Sequence, residues 1–194
     1  MPQIKSEVDK ICPVDREGWR EWLTENHCLK ESVWLIYYKK KSNLYSMSWG
    51  DAVEEALCFG WIDSVRKTLD DERFLQLFTR RKPKGTWSKI NKQKIEQLIQ
   101  TGLMTEAGLA VISRAKENGS WDILNEVEDL KIPDDLNNAL KKDVIAESFF
   151  NSLSKSVKKA MLQWIIFAKR SETREKRINE IAELAAKNQK PKQF

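Results

Sequence analysis

Trp61-Ile62-Asp63-Ser64-Val65-Arg66-Lys67-Thr68 and Arg73-Phe74-Leu75-Gln76-Leu77-Phe78-Thr79-Arg80 are two runs rich in β-branched and aromatic residues, separated by Leu69-Asp70-Asp71-Glu72. A short polar connection between two such runs predicts an antiparallel hairpin. Upstream, Val33-Trp34-Leu35-Ile36-Tyr37-Tyr38 is a continuous apolar run, the form of a central strand buried on both faces, and Lys39, Lys40 and Lys41 return it to solvent. Together these runs predict a small antiparallel sheet of at least three strands.

Helices surround the strands. Asp15 is placed to cap one over 16–26, with Val14 and Trp19 at hydrophobic-staple spacing and Trp19, Trp22 and Leu23 on its buried face. Ser48 and Asp51 have the spacing of a capping-box variant, and Val53, Ala56 and Leu57 recur at helical intervals until Gly60, which predicts a second helix over 49–59. From Ser88 the period is helical almost throughout. Asn91, Ile95, Leu98 and Ile99 share a face, Gly102 is a C-cap, and a further helix is expected over 105–118, closed by Gly119.

Residues 122–135 are acidic and free of aromatics, and Pro133 opens a helical C-terminal third. Val157, Ala160, Met161, Trp164, Ile165 and Ala168 trace one stripe there, and Ser171 is placed to cap a last helix carrying Ile178, Ile181, Ala182 and Ala185. The polar tail 187–194 is expected to fray. The predicted fold class is α+β: an α+β domain over 1–120 with the hairpin and a basic loop, and a helical C-terminal region over 133–194 packed on it.

A length of 194 residues with 41% hydrophobic and 32% charged content suits a folded globular chain and not a disordered one. The N-terminal stretch has no apolar h-region and no apolar run is long, so neither a signal peptide nor a membrane span is expected, and the expected setting is cytoplasmic. Cys12, Cys28 and Cys58 lack a Cys-x-x-Cys spacing, which suits free thiols in a reducing compartment. His27 is the single histidine, which argues against a structural zinc. A Walker A motif, a dinucleotide fingerprint and a calcium loop are all missing from the sequence, and no cofactor is expected.

Phe59-Gly60-Trp61-Ile62-Asp63-Ser64, Arg73-Phe74, Phe78-Thr79-Arg80-Arg81-Lys82-Pro83 and Trp87-Ser88-x-x-Asn91 together resemble the YdeI/OmpD-associated family, also labelled bacteriocin-protection proteins. Gly102-Leu103-Met104-Thr105-x-Ala107-Gly108 and Leu162-x-Trp164-Ile165-x-x-Ala168-Lys169-Arg170-x-Glu172-Thr173-Arg174 are similar to the same family, so the likeness extends from about Trp22 to Ala185. The resemblance implies the α+β fold and a bacterial cytosolic setting, and it brings no catalytic residue. One departure stands out: where the family usually has Thr-Pro-Arg, this chain has Thr79-Arg80-Arg81.

Between Thr79 and Lys94 stand seven cations and no acid. Arginine forks beside a helix N-terminus favour a phosphate or carboxylate, so Arg80, Arg81, Ser88 and Asn91 are expected to converge on one anion. Trp87 would form its wall, and Asp63, with Ser64 beside it, would orient an arginine near the end of the partner strand. The plainer reading is a solvated basic loop balanced by the acidic stretch 117–147. A Ser-His-Asp triad would have to recruit His27 from the first helix, and Cys58 lies on the apolar side of its helix.

The preferred function is a non-enzymatic binding protein with an anion-accepting basic cleft, its partner a small anionic ligand or another protein. Two other classes stay open: an enzyme using Asp63 and the arginines on a phosphorylated or carboxylated metabolite, and a nucleic-acid-binding protein. A basic loop without a recognised motif is slight ground for nucleic acid. Residues 154–177 carry eight cations against two acids, a wet helix face or a surface for an acidic partner or a membrane. Oligomeric state is not legible.

Overall fold

Asp15 caps α1 (Arg16–Asn26) by accepting the Gly18 N–H at 2.9 Å, in a computed structural model that describes residues 8–42, 44 and 47–194. The chain divides into two units: one takes in the chain up to Gly85 together with Ile90–Trp121, and the other comprises Thr86–Lys89 and Asp122–Phe194. The fold class is α+β, as expected.

The first unit is built on a sheet of β1 (Lys10–Ile11), β2 (Ser32–Tyr38), β3 (Trp61–Thr68) and β4 (Arg73–Arg80), in the order β1-β2-β4-β3. β3 and β4 form the predicted hairpin, and β2 lies antiparallel to β4 with Val33 opposite Phe78 and Tyr37 opposite Phe74. The sheet is mixed rather than purely antiparallel, because β1 runs parallel to β2. Two residues carry no alternation from which such a strand could be read.

β2 is an interior strand, but only one of its faces is deeply buried: Val33, Leu35 and Tyr37 are buried, whereas Trp34, Ile36 and Tyr38 are partly exposed. The expectation of burial on both faces is therefore corrected. An antiparallel neighbour lets one sheet face stay partly wet, whatever the hydropathy of the strand.

The buried face packs on α1 and α2 (Trp49–Cys58). Trp19 and Leu23 of α1 are fully buried, Trp19 lies 5.3 Å from both Trp22 and Phe78 between ring centroids, and its Nε1–H donates to the Ala52 carbonyl at 3.1 Å. Val14 is 84% exposed and forms no staple. The chain enters α1 from β1, so pairing with β2 supplies the direction that a staple would otherwise fix.

Ionic contacts tie the two helices further. The buried Glu55 carboxylate accepts from Arg16 Nε on one oxygen and Arg20 Nη1 on the other, each at 2.6 Å. Ser48 and Asp51 form the capping box of α2, and the Ser48 hydroxyl, first among the causes, holds the Asp51 carboxyl below its ordinary range. Gly60 ends the helix at φ +74°, a conformation that glycine adopts without a Cβ penalty.

α3 (Lys89–Gln100) and α4 (Glu106–Glu117) follow, with Gly102 and Gly119 at positive φ as their C-terminal stops. Thr105 and Asn118, expected within the second of these helices, are its two caps. Ile95 and Leu98 are buried, but Ile99 is half exposed and lies off their face.

The second unit contains α5 (Asn125–Glu128), α6 (Asp134–Leu140), α7 (Val144–Ser152), α8 (Lys155–Ile166) and α9 (Ser171–Ala185). Leu136, Phe150, Met161, Ile165 and Ile181 are fully buried in its own core. Pro133 is the N-cap of α6, and Ser171 is the first residue of α9 rather than its cap, a place taken by Arg170. The Arg174 guanidinium grips Asp135 through Nε at 2.7 Å and Nη2 at 3.0 Å, and this holds the Asp135 carboxyl below its usual range.

The tail does not fray as expected. Pro191 is buried, and the Phe194 ring meets Trp164 edge-on at 5.6 Å, while the Arg177 guanidinium lies 4.9 Å from the Trp164 centroid. Phe194→Ala is expected to cost about 1 kcal/mol, the usual scale of an edge-on aromatic pair at a partly buried site. A urea melt showing no change would detach the tail from the unit.

Candidate functional site

The seven residues singled out above are divided between the two units. Asp63, Ser64, Arg80, Arg81 and Asn91 belong to the first, and Trp87 and Ser88 to the second.

β4 has a neighbour on each side, and the two arginines at its end turn to different partners. Arg80 lies in register with the end of β2: its Nε–H donates to the Lys30 carbonyl at 2.7 Å and its Nη1 pairs with Glu31 at 3.1 Å. Arg81, whose N–H donates to the Gly60 carbonyl at 3.0 Å, is the arginine on which the Asp63 charge acts. Burial pushes the Arg81 pKa down to about 10, and the Asp63 charge opposes that fall, so the guanidinium stays protonated at neutral pH.

In the second unit the anion at the N-terminus of α3 is the chain's own. The Lys89 N–H donates to Glu128 Oε1 at 3.4 Å, and Lys159 Nζ donates to Glu128 Oε2 at 2.6 Å. The Lys159 hydrogen bond, with the Lys89 N–H assisting, lowers the Glu128 pKa. Trp87 is 2% exposed, a ring closed to solvent and not an open stacking platform. Of the remaining cations, Lys94 pairs with Glu54 and Lys89 with Asp129, while Lys92 and Lys116 lie over the Trp121 ring at 5.1 and 5.4 Å.

What the first unit does form is a pocket of about 250 Å³ on the core face of the sheet, beside the start of α2. Its rings are Tyr37, Tyr38, Phe74 and Trp49, and its cations are Lys39, whose ammonium donates to the Asp70 and Asp71 carbonyls, Lys40 and Arg66. Tyr37 and Phe74 stack with parallel planes at 4.9 Å, and the Arg66 guanidinium lies 3.7 Å above the Phe74 centroid. Arg66 has no ion pair or hydrogen bond among the described residues. Trp49 is 52% exposed yet held, its Nε1–H donating to Asp63 Oδ2 at 3.1 Å. No carboxylate lines the pocket.

A bulge in β3 brings these groups together. Asp63 pairs with Phe78 and Arg66 with Gln76, so one extra residue of β3 lies between two positions that share a face of β4. On a regular strand Asp63 and Arg66, three apart, would point to opposite faces. The buried Gln76 amide fixes the bulge by donating to the Ser64 and Val65 carbonyls at 3.2 and 3.4 Å. Ser64 itself is exposed, and its hydroxyl donates to the Leu77 carbonyl at 3.3 Å.

Sequence reasoning singled out Asp63, with Arg66 close behind it, but did not join them to Trp49 and Phe74. The signal was faint: a buried glutamine in the middle of an apolar strand, which needs partners that a regular ladder would not offer.

Comparison with known families bears on both units. A family model described as Domain of unknown function (DUF8412) matches residues 11–111, just over half of the chain. The chain belongs to this family. The DUF8412 match contains every residue of the pocket, together with Asp63, Ser64, Arg80 and Arg81. A second model, Bacteriocin-protection, YdeI or OmpD-Associated, matches residues 129–188, which bears out the resemblance read from the sequence and locates it in the helical unit. No curated protein and no solved structure matches. Among the described residues no group of His, Cys, Asp and Glu could hold a metal ion, and no helix is long and apolar enough to cross a membrane.

Proposed function

We propose that this chain is a non-enzymatic binding protein that accepts a small anion in the pocket between Trp49 and Arg66, and not in the basic loop. The carrying observation is Arg66: a guanidinium 3.7 Å above the Phe74 centroid, in no ion pair among the described residues, beside a pocket that Lys40 also lines. Stacking fixes the plane of the fork and leaves its N–H edge for an acceptor. In the loop, by contrast, Glu31 pairs with Arg80, Glu54 with Lys94 and Asp129 with Lys89, and Glu128 takes the N–H at the helix N-terminus.

An enzyme is the weaker reading. Each carboxyl group with a resolved shift is held low by a hydroxyl or a cation, as Asp51 is by Ser48 and Asp70 by Arg73, and none is raised by burial toward general-acid work. Calorimetric titration with inorganic phosphate, benzoate and phenyl phosphate tests the binding reading. At least one is expected to bind, more weakly at higher salt, and to lose roughly tenfold in affinity in Arg66→Ala, the usual scale of a charge-assisted contact. If none of the three shows binding that depends on Arg66, the reading is overturned.

A further inference from the structure

Resting on that reading, we infer that the pocket selects a planar ring bearing an anionic group, with Trp49 as the wall for the ring and Asp63 as the residue that positions Trp49. A tryptophan at the first position of a helix, half exposed, is free to swing among rotamers unless something holds it. Here Asp63 holds it through the Nε1–H bond at 3.1 Å, from the neighbouring strand and not from the helix itself. Asp63 is in turn placed by two features that have no other evident purpose at this edge of the sheet. One is the Arg81 charge beside it, and the other is the β3 bulge that keeps Asp63 and Arg66 on one face.

The pocket therefore offers two different kinds of contact. Arg66 and Lys40 supply positive charge without an ion-paired carboxylate, whereas the half-exposed Trp49 supplies flat apolar surface. A bare inorganic anion uses only the first, and an uncharged ring uses only the second. A ring carrying its anionic group directly uses both, and a volume of about 250 Å³ suits a single ring system and not an extended chain. Ring stacking on a preorganised indole adds affinity at little entropic cost, since the wall is already fixed.

The test compares phenyl phosphate with inorganic phosphate, and benzoate with acetate, in the full chain. Each aryl anion is expected to bind about tenfold more tightly than its partner without a ring, the factor of a single aromatic contact. Trp49→Ala is expected to abolish that preference, and its half-exposed position makes loss of the fold avoidable, as circular dichroism would verify. Asp63→Ala should behave like Trp49→Ala, whereas Asp63→Asn, which keeps an acceptor oxygen for the indole N–H, should retain the preference. A purely structural role for Asp63 would lower stability in both variants without separating aryl from non-aryl anions. Aryl and simple anions binding equally, with Arg66 still required, would overturn the ring selectivity and leave the anion site standing. Absence of any binding dependent on Arg66 would remove both.

Discussion

Gly108→Ala is expected to destabilise the first unit by about 1–3 kcal/mol or more, the range of an overpacked core position that cannot relax. A Cβ at Gly108 would sit 2.2 Å from the Cys58 carbonyl oxygen, a backbone atom and not the movable end of a side chain. That oxygen is also held. It accepts the Thr105 hydroxyl at 2.6 Å and the Thr105 N–H at 3.2 Å, while the same hydroxyl caps α4 by accepting from the Gly108 N–H at 3.3 Å. Moving α4 away to admit a methyl group would therefore break both the cap and the anchor to the end of α2. Gly18→Ala is the matched control, because its nearest neighbours are 3.6 Å away and α1 gains a better helix former. Chemical denaturation should leave Gly18→Ala within about 1 kcal/mol of the wild type, on the scale of helix propensity. Equal stability of the two variants would mean that α4 does not pack on α2 so closely.

Most of the fold was legible because its instructions are local. Asp15 and Ser48 each cap a helix through a bond to a residue three positions on, and the hairpin strands end where the four-residue connection begins. Some errors were local, such as the Val14 staple and the Ser171 cap, but those at the site concern partners distant in sequence. The N-terminus of α3 was read as open to a ligand, yet Glu128, 39 residues from Lys89, lies there, within the acidic stretch that the plainer reading set against the loop. Asp63 was expected near Arg80, but strand order sends that arginine elsewhere: β4 sits between β2 and β3, and Arg80 goes to the β2 side. The pocket depended on a bulge, an event that strict alternation along Trp61–Thr68 cannot show. Charge density alone was thus a poor guide. Arg80, Lys89 and Lys94 of the loop are paired with carboxylates, whereas the stacked Arg66 is not.

Trp19→Ala is expected to cost roughly 3–5 kcal/mol, the range for removing a large ring from a closed core. The ring has no exposed surface, stacks on Trp22, tilts against Phe78 and fills the space between α1, α2 and the sheet. Alanine would also leave the Ala52 carbonyl without the indole N–H that it accepts at 3.1 Å. Trp19→Phe separates these contributions, since it keeps most of the apolar surface and gives up the hydrogen bond, and it should lose about 1–3 kcal/mol, the scale of an unsatisfied buried acceptor. Trp22→Ala provides the internal comparison: its ring is only partly buried and meets Trp61 edge-on at 5.9 Å, so its loss should fall below that of Trp19→Ala. The order Trp19→Ala, then Trp22→Ala, follows from burial and not from ring chemistry, which is the same at both positions. Guanidinium melts showing the reverse order, or a loss under about 1 kcal/mol at Trp19, would mean that α1 is held mainly by the Arg16 and Arg20 contacts to Glu55.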